Sequence, residues 1–463
     1  MSNVDATFDA IIVGAGQAGP PLAGKLTEAG WTVALVERKL FGGTCVNAGC
    51  TPTKALVASA HAAYLARRAR DFGVVLASGD VSVDMPAVKA RKDSIVAKSR
   101  DGVESWLRGM KGCTVFHEAG RFEGPGLMRV GNKLLGAGKF FLNVGARPSL
   151  PETLGANKVK HLTSTTILEL DTVPEHLLVV GGSYIGLEFA QMYRRFGAQV
   201  TVVEQGPRLI QHEDEEFSKA VQEVLEAEGI QFHLGADCIR LEQDGERVRI
   251  HMECKDGDPS LIGSHVLLAI GRQPNTDDLG LETIGAVMDK RGFIIVDDEL
   301  KSSVEGVWAI GDCNGRGAFT HTSYNDFEIV AANLLTDERR KVSDRIACHA
   351  LYTDPPLAHV GMTEAEVRKT GRPALVGVRP MTKVSRAVEK GETFGMMKVL
   401  VDAETRKILG ATILGVGGDE AIHSIVAAMY AKQTADFMTH SMYIHPTVAE
   451  LIPTVCGDLK PLA

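Results

Sequence analysis

Residues 8–37, FDAIIVGAGQAGPPLAGKLTEAGWTVALVE, decide the fold of this chain. An apolar strand runs into a turn that contains Gly14, Gly16 and Gly19. A helix follows, and a second apolar strand ends at Glu37. Such glycines permit a tight turn and let a pyrophosphate approach the helix N-terminus, while the terminal acid can bind a ribose hydroxyl. The stretch therefore predicts a βαβ unit that binds a dinucleotide.

The same pattern recurs at residues 177–204, LLVVGGSYIGLEFAQMYRRFGAQVTVVE. In both stretches the first glycine lies 23 residues before the terminal acid. Here the glycines are Gly181 and Gly186, Ser183 stands where the second glycine belongs, and the acid is Glu204. Two units with equal spacing predict that the chain binds two dinucleotides.

The second acid also bears on which nucleotide binds there. A carboxylate accepts hydrogen bonds from a free ribose hydroxyl but repels a 2′-phosphate. Glu204 therefore favours NADH over NADPH, although Arg208 lies close enough in the sequence to complicate this preference.

Two further stretches point to the first nucleotide site. NVGARP (residues 143–148), with Gly145, is a strand-to-turn element that follows a long excursion of the chain. GVWAIGDC (residues 306–313) is a strand that ends in Gly311 and Asp312. We expect Asp312, at the start of the next helix, to hold a polyol hydroxyl.

Residues 41–54, FGGTCVNAGCTPTK, place Cys45 and Cys50 five positions apart. In a regular helix, residues at this spacing lie ~8–9 Å apart on different faces. A disulfide needs Cα atoms within ~7 Å, so a bridge requires an irregular turn, for which Asn47 and Gly49 supply the backbone freedom. From the residues alone, the pair is either redox-active or two small apolar side chains in a core.

Composition excludes several classes of protein. At 463 residues the chain is too long for one core, so roughly two to four domains are expected. The net charge of −8 argues against a nucleic-acid or membrane-surface partner. The N-terminus shows no signal-peptide pattern and no apolar run of ~18 residues occurs, so a cytoplasmic protein is expected. In a reducing compartment a cysteine pair is more often catalytic or metal-binding than a structural disulfide.

A set of motifs along the chain has a characteristic order. GGTCVNAGCTPTK, the two glycine-rich units, AIGRQPNT (residues 269–276), AIGD and HPTVAE (residues 445–450) follow one another as in the pyridine-nucleotide disulfide oxidoreductases. The chain resembles this family, which includes dihydrolipoamide dehydrogenase, glutathione reductase and mercuric reductase, over essentially its whole length. The resemblance implies FAD and NAD(P)H as cofactors, and a homodimer whose active site draws on both subunits.

The resemblance also implies an α/β architecture of two Rossmann-like dinucleotide-binding domains, for FAD and NAD, plus a C-terminal α+β dimerisation domain. Four segments are expected: an FAD-binding domain (1–150), an NAD(P)-binding domain (151–270), a central domain that completes the FAD site (271–346) and an interface domain for dimerisation (347–463). Within the quoted motifs, the resemblance assigns cofactor contacts to Gly43, Thr44 and Gly271.

Roles for individual side chains follow from the same resemblance. Cys45 resembles the interchange thiol that attacks substrate, and Cys50 resembles the thiol beside the flavin. Lys54 resembles the family lysine near the flavin, with Glu188 as its ion-pair partner.

A histidine near the C-terminus completes the implied site. His445 resembles the base contributed by the other subunit, and Glu450 resembles the residue that orients it. Such a histidine moves protons between the attacking thiol and the leaving thiol.

The substrate is not decided by these residues. Tyr443 stands where dihydrolipoamide dehydrogenases carry a second histidine, and Glu204 opposes the NADPH use of glutathione reductases. Mercuric reductases carry a vicinal cysteine pair near the C-terminus, where this chain has the single Cys456. One reading is a reductase of a small disulfide or a thiol-reactive electrophile, metal ions included. The alternative is an NADH oxidase or diaphorase without disulfide turnover. No bound metal is expected, because the other cysteines show no ligand spacing.

Overall fold

The structure of the chain is a computed structural model that describes residues 4–76, 81–253 and 260–462. Cys254, one of the cysteines without ligand spacing, lies outside these ranges. Two sheets with parallel cores, each flanked by helices, precede a six-stranded antiparallel sheet at the C-terminal end. The expected fold class, two Rossmann-like domains followed by an α+β domain, is confirmed.

The N-terminal part of the chain builds the first sheet. Its strands are β1 (Ala6–Val13), β2 (Val33–Val36), β3 (Cys113–Phe116), β4 (Gly120–Gly124), β5 (Leu127–Val130), β6 (Lys133–Leu142) and β7 (Ala146–Pro148). Its helices are α1 (Gly19–Glu28), α2 (Gly43–Ala48), α3 (Cys50–Arg67) and α4 (Met85–Gly109). Strands β3, β2, β1 and β6 lie side by side and parallel; β5 extends the sheet antiparallel to β6, and β4 pairs antiparallel with β5 at the edge. All of β2 and the second half of β1 are buried, which explains their continuous apolar sequence.

The middle of the chain builds a second sheet of the same kind. Its strands are β8 (Leu162–Thr163), β9 (His176–Val180), β10 (Gln199–Glu204), β11 (Gln231–Leu234), β12 (Asp237–Asp244), β13 (Arg247–Glu253), β14 (Ser260–Gly263) and β15 (His265–Leu268). Its helices are α5 (Tyr184–Phe196) and α6 (Glu215–Ala227). The parallel order is β11-β10-β9-β15-β8, and β12 to β14 form a separate antiparallel sheet. Each glycine-rich turn therefore joins a central strand to its helix.

The chain then returns to the first sheet. This segment contains β16 (Arg272–Pro274), β17 (Val307–Ala309) and α7 (Thr320–Leu335). Strand β17 joins that sheet by pairing in parallel with β6, whereas β16 and β7 pair in a separate two-stranded sheet. Leu22 of α1 and Phe327 of α7 lie in one apolar cluster with Phe141 of β6. The two stretches of chain thus share a core, and α7 packs beside the N-terminal helices although it is distant from them in the sequence.

The C-terminal part builds the antiparallel sheet. Its strands are β18 (Cys348–Leu351), β19 (Leu357–Gly361), β20 (Ala374–Pro380), β21 (Met396–Asp402), β22 (Ile408–Leu414) and β23 (Lys460–Pro461). Its helices are α8 (Glu364–Lys369), α9 (Ser385–Glu389), α10 (Gly418–Tyr430), α11 (Ala435–His440) and α12 (Ile452–Gly457). The strand order is β18-β19-β22-β21-β20-β23. None of the helices in the described ranges combines the length and the apolar character needed to span a bilayer.

Candidate active site

The first glycine-rich turn leaves no room for a side chain at its three glycines. A Cβ on Gly14 would lie 2.3 Å from the carbonyl oxygen of Asn143, and a Cβ on Gly16 would lie 2.8 Å from Asn143 Oδ1. A Cβ on Gly19 would lie 2.2 Å from the Gly14 carbonyl oxygen. The Gly19 N–H donates to Asn143 Oδ1 at 3.0 Å. The turn is therefore fixed by backbone packing, with the N-terminus of α1 presented for an anionic group.

Glu37, at the end of β2, ties its carboxylate to that turn. Its Oε2 accepts from the Ala15 N–H at 2.8 Å, and its Oε1 accepts from the Lys39 N–H at 2.7 Å. Each carboxylate oxygen keeps a further lone pair for a ribose hydroxyl. The residue predicted to bind ribose thus also braces the turn.

Glu204 braces the second turn in the same way. Its Oε2 accepts from the Gly182 N–H at 2.6 Å, and its Oε1 accepts from the Gly206 N–H at 2.6 Å. The two acids therefore occupy equivalent places at the ends of β2 and β10.

The glycines of the second turn are also confined. A Cβ on Gly181 would lie 2.5 Å from the Ala269 carbonyl oxygen, and a Cβ on Gly186 would lie 2.0 Å from the Gly181 carbonyl oxygen. Ser183 is exposed at the residue before α5, with an extended backbone at φ −103°. A side chain is thus accommodated where the pattern has its second glycine.

The two cysteines are separated by a break between helices. Helix α2 ends at Ala48, Gly49 has φ −137° and ψ −120°, and α3 begins at Cys50. A Cβ on Gly49 would lie 2.9 Å from the Thr44 carbonyl oxygen. This irregular turn brings the Cys45 and Cys50 thiols, both free in this structure, into hydrogen-bond contact.

The two thiols differ strongly in acidity. The hydrogen bond from the Cys45 thiol is the main reason that the pKa of Cys50 falls to about 6, against some desolvation. The Thr320 hydroxyl, 3.2 Å from Cys50 Sγ, and the Lys54 ammonium lower this pKa further. The same contact with Cys50, followed by burial, raises the pKa of Cys45 far above its ordinary value. At neutral pH the charge therefore lies on Cys50, and Cys45 keeps its proton.

Lys54, on the second turn of α3, forms an ion pair with Glu188 of α5. The distance from Lys54 Nζ to Glu188 Oε2 is 2.7 Å, across 134 residues of sequence. The other oxygen of this buried carboxylate accepts from the Tyr352 N–H at 2.9 Å. The Tyr352 ring lies over the ammonium, 4.4 Å from Nζ to its centroid. One carboxylate thus joins three parts of the chain beside the thiol pair.

His445 and Glu450 form a second pair, on the surface of the C-terminal domain. His445 Nδ1 lies 2.8 Å from Glu450 Oε2, and the histidine side chain is 74% exposed. Met442 and Ile444, which precede it, are 99% and 79% exposed. An imidazole oriented by a carboxylate therefore lies in an apolar surface segment, which is typical of a surface that a partner covers.

Comparison with known proteins identifies the family. Residues 8–326 match the family described as pyridine nucleotide-disulphide oxidoreductase, and residues 348–456 match its dimerisation domain. The chain belongs to this family. It is an FAD- and NAD(P)H-dependent disulfide oxidoreductase, as the motif order predicts. The dimerisation domain indicates a homodimer.

Members of the family with different names resemble this chain to a similar degree. A mercuric reductase of Staphylococcus aureus is 32% identical over 448 residues, which cover 97% of this chain and 82% of the relative. The probable pyridine nucleotide-disulfide oxidoreductase RclA of Escherichia coli (strain K12) is 32% identical over 461 residues, 98% of this chain and 99% of that protein. A solved Cu(II) complex of the HOCl-induced flavoprotein disulfide reductase RclA from Escherichia coli matches with a TM-score of 0.88 at 31% identity, covering 97% of this chain and 99% of that one. These relatives establish the family and leave the substrate open.

The residues around the first turn fit the FAD that this family uses. Gly43 has φ +61°, and a Cβ on it would lie 2.8 Å from Gly16 Cα, so two stretches of backbone meet there. Beside them, Thr44 Oγ1 lies 3.5 Å from Arg272 Nη2, and Arg272 Nε is buried without a hydrogen-bond partner among the described residues. Asp312 Oδ2 lies 3.7 Å from that Nε, and burial raises the pKa of Asp312. An unsatisfied guanidinium N–H and a partly buried acid suit a phosphate and a polyol hydroxyl.

Three more glycines predicted at the cofactor sites lie at strand ends. Gly145 precedes β7, Gly271 precedes β16 and Gly311 lies beyond β17, with φ values of 65°, 118° and 77°. These angles favour glycine over other residues. The structure thus explains their residue type, and their contact with a cofactor stays a prediction.

The sequence did not reveal several residues that shape the site. Thr320 contacts Cys50 from the N-terminus of α7, 270 residues away, and no local pattern marks it. Arg272 was visible only as part of AIGRQPNT. Asn143 holds the first turn, and its place directly after an apolar strand is a signal that could have been used.

A cluster of carboxylates and a buried cysteine lie outside the site. The carboxylates of Asp214, Glu216 and Glu364 lie within 4.8 Å of one another, but the buried Lys398 ammonium contacts all three and offsets part of their charge. Cys456 is fully buried, and burial raises its pKa to about 12. Neither the lysine-filled cluster nor this inert thiol offers a ligand for a metal ion.

Proposed function

We propose that this chain is an NADH-dependent reductase of a small disulfide or another thiol-reactive substrate and works through a Cys45–Cys50 disulfide. The observation that carries the proposal is the meeting of Cys45 and Cys50 at the break between α2 and α3, with Thr320 in contact with Cys50 and the Lys54–Glu188 ion pair beside it. These surroundings lower the pKa of Cys50 to about 6 and raise that of Cys45. Bound FAD would accept the hydride of NADH and deliver its two electrons to the disulfide. The remaining steps belong to the side chains.

Cys50 is suited to hold the thiolate that remains after reduction. It is the first residue of an 18-residue helix, whose N-terminal dipole adds to the effect of Thr320 and Lys54. Cys45 then attacks the substrate disulfide, forms a mixed disulfide and releases the first thiol. Cys50 attacks Cys45 Sγ, releases the second thiol and closes the Cys45–Cys50 bond. Two electrons and two protons thereby convert one substrate disulfide into two thiols.

His445 supplies the proton transfers that this exchange needs. The Cys45 thiol keeps its proton at neutral pH, so a base must remove it before attack. The imidazole then returns a proton to the leaving thiol, with Glu450 holding Nδ1. We assign His445 to the active site of the other subunit, because the exposed Met442 and Ile444 mark its surroundings as a covered surface.

NADH is the proposed electron donor. Glu204 lies at the end of β10, and Arg208 is engaged inside its own loop, where it donates to the carbonyl oxygens of Glu213 at 2.6 Å and Gln211 at 2.8 Å. We expect kcat/KM for NADH to exceed that for NADPH by about 100-fold, measured by dye reduction, because the carboxylate repels a 2′-phosphate.

Two variants separate the contributions to this preference. Glu204→Gln should lower the ratio of kcat/KM for NADH to kcat/KM for NADPH, and Arg208→Ala should leave that ratio unchanged. A wild-type preference for NADPH would contradict the assignment of Glu204.

Reduction of a thiophilic metal ion is a second candidate function. The likeness to a mercuric reductase and to an RclA structure in complex with Cu(II) favours it. The reduced Cys45 and Cys50 thiols would bind such an ion. The buried Cys456 provides no additional exposed thiol for handing the ion over.

A steady-state screen tests these candidates. Lipoamide, glutathione disulfide, hypothiocyanite, Hg(II) and Cu(II) are offered with NADH to the wild type and to Cys45→Ser. We expect at least one of them to be reduced about 100-fold more slowly by the variant, while NADH:dye activity is equal in both proteins. Turnover of dye or oxygen alone, unaffected by Cys45→Ser, would establish an NADH oxidase or diaphorase instead. A cytoplasmic location belongs to this proposal, because NADH and free thiols are found together there.

A further inference from the structure

The loop between β10 and α6, residues 205–214, contacts the second glycine-rich turn and its acid. The Ile210 N–H donates to the Gly182 carbonyl oxygen at 2.9 Å. The Gln211 side-chain amide donates to Glu204 Oε1 at 3.2 Å. The position of this loop therefore affects both groups that are predicted to bind the nucleotide.

The backbone of the β10–α6 loop is strained at one residue. Ile210 has φ 38°, on the left-handed side that β-branched residues rarely adopt. Its side chain is buried, and the Glu213 N–H donates to its carbonyl oxygen at 2.8 Å. Such a conformation persists only where the surrounding structure holds it. The loop therefore depends on contacts that keep it in place.

One of these contacts comes from the C-terminal domain. The side chain of Lys398 in β21 is 3% exposed, and its Nζ lies 3.1 Å from Asp214 Oδ2 and 2.5 Å from Glu216 Oε1. The ammonium also contacts Glu364 of α8, whose N–H donates to Asp214 Oδ1 at 2.9 Å. Asp214 is the last residue of the loop, and Glu216 lies in the first turn of α6. One buried cation thus ties the loop to the antiparallel sheet, and the reaction steps described above do not use it.

The charges of this cluster favour attraction at neutral pH. Burial acts to lower the pKa of Lys398, but hydrogen bonds with Glu216 and Glu364 outweigh it and hold that pKa above its ordinary value. Burial acts to raise the pKa of Glu364, but hydrogen bonds from Lys398 and Arg368 hold it below its ordinary value. Removal of the ammonium would leave the buried Asp214 carboxylate beside two other acids, which is costly for a buried charge.

We propose that Lys398 is a positioning residue for NADH: it holds the β10–α6 loop where the second turn and Glu204 can bind the nucleotide. The inference rests on the proposed assignment of the second turn to NADH. The pyrophosphate and the adenosine ribose are the parts of NADH expected at the turn and the acid. Loss of the link should therefore weaken binding of the adenosine half and leave hydride transfer from bound NADH unchanged.

Lys398→Met tests the link, because methionine is unbranched like lysine and carries no charge. In anaerobic stopped-flow reduction of the holoenzyme, we expect the apparent Kd for NADH to rise about tenfold and the limiting rate of flavin reduction to stay within about twofold. ADP-ribose, which lacks the nicotinamide, should lose affinity as a competitive inhibitor by the same factor. Lys398→Arg keeps the charge and should bind NADH within about threefold of wild type.

Lys92→Met is the matched control. The side chain of this lysine in α4 is also 3% exposed, and its Nζ lies 2.5 Å from Asp93 Oδ1 and 3.6 Å from Glu169 Oε1. Its loss should lower the melting temperature, as the loss of Lys398 should, but should leave the binding of NADH and ADP-ribose unchanged. An equal rise in Kd in the two variants would show that Lys398 acts on stability alone and would overturn the proposal.

Asp214→Ala cuts the same link from the side of the loop. The Asp214 side chain makes no capping hydrogen bond to α6, and Lys398 keeps Glu216 and Glu364 as partners. Poor folding of Lys398→Met would therefore not protect the idea. The Kd for NADH should rise in Asp214→Ala, and the double variant should match the stronger single variant, because both changes break one contact.

An unchanged Kd in either folded variant, additive effects in the double variant, or an unchanged affinity for ADP-ribose would overturn the link. Flavin reduction by NADH requires neither Cys45 nor a disulfide substrate. Failure of the link is therefore distinguishable from failure of the proposed function, which would appear as wild-type flavin that NADH does not reduce.

Discussion

The Cys45→Ser variant, isolated with its flavin and without any reductant, is expected to absorb at wavelengths beyond the flavin's own bands, and Cys50→Ser is not. In Cys45→Ser, Cys50 has no partner for a disulfide, so its thiolate persists beside oxidised flavin and donates charge to it. In Cys50→Ser the remaining thiol is Cys45, which burial keeps protonated. A visible spectrum of each variant decides the matter, with two-electron-reduced wild type as the reference that should show the same band.

The band of Cys45→Ser should also depend on pH in a defined direction. The pKa of Cys50 is lowered to about 6, and the serine hydroxyl of the variant can still donate the hydrogen bond that lowers it. A thiol with a lowered pKa is charged above that value, so the band should be complete near pH 8 and fade as the pH drops through about 6. A midpoint near the ordinary thiol value of about 8.5 would show that the surroundings do not stabilise the thiolate. A band in Cys50→Ser would exchange the roles of the two cysteines.

His445→Ala is expected to slow disulfide turnover by about 10²–10⁴-fold, the usual size of a general acid–base contribution. The reason is the raised pKa of Cys45, which leaves the attacking thiol protonated unless a base acts on it. Reduction of the flavin by NADH should be nearly unaffected, since it involves no thiol. Steady-state rates with the best substrate of the screen, compared with stopped-flow flavin reduction, separate the two effects.

The matched control for this variant is His440→Ala, an exposed histidine at the C-terminal end of α11, which should keep full activity. Disulfide turnover within tenfold of wild type in His445→Ala would remove the histidine from the mechanism.

A mixed dimer tests which subunit His445 serves. Cys45→Ser and His445→Ala homodimers should both be inactive on a disulfide. A dimer with one subunit of each kind should regain about half of the wild-type activity, because one of its two sites then has an intact Cys45 and an intact His445 from different chains. If His445 acted on its own chain, the mixed dimer would be as inactive as either parent.

The local parts of the site could be predicted from sequence, because their signals are local. A glycine-rich turn followed by a helix and a strand fixes its own geometry, and Gly14 and Gly181 lie where backbone contacts exclude a side chain. The break at Gly49 could be predicted because two cysteines five residues apart in a regular helix are too far apart to form a disulfide. The meeting of Lys54 and Glu188 has no local signal, and it came from family resemblance.

The remainder of the site depends on chain segments that meet only in the folded protein. Thr320 reaches Cys50 because α7 packs beside α1 in the shared core of the first sheet. In the sequence, Glu213 is one acid of the run HEDEE. Only in the folded protein do Tyr184 of α5 and His349 of β18 both lie within hydrogen-bond distance of its carboxylate. Likewise, Glu37 and Glu204 were predicted to bind ribose. Their hydrogen bonds with the backbone N–H groups of the two glycine-rich turns are visible only in the folded structure.

Three stretches of chain that recombination can separate meet at the carboxylate of Glu188. It takes one bond from Lys54 in α3 and another from the backbone of Tyr352, just after β18. In a chimera whose C-terminal domain comes from a relative, the backbone at residue 352 must follow the same course. Otherwise Glu188 loses the Tyr352 hydrogen bond, and the position of its carboxylate beside Lys54 changes. We therefore expect chimeras of this chain to keep the Lys54–Glu188 pair only where the crossover points lie outside α3, α5 and β18.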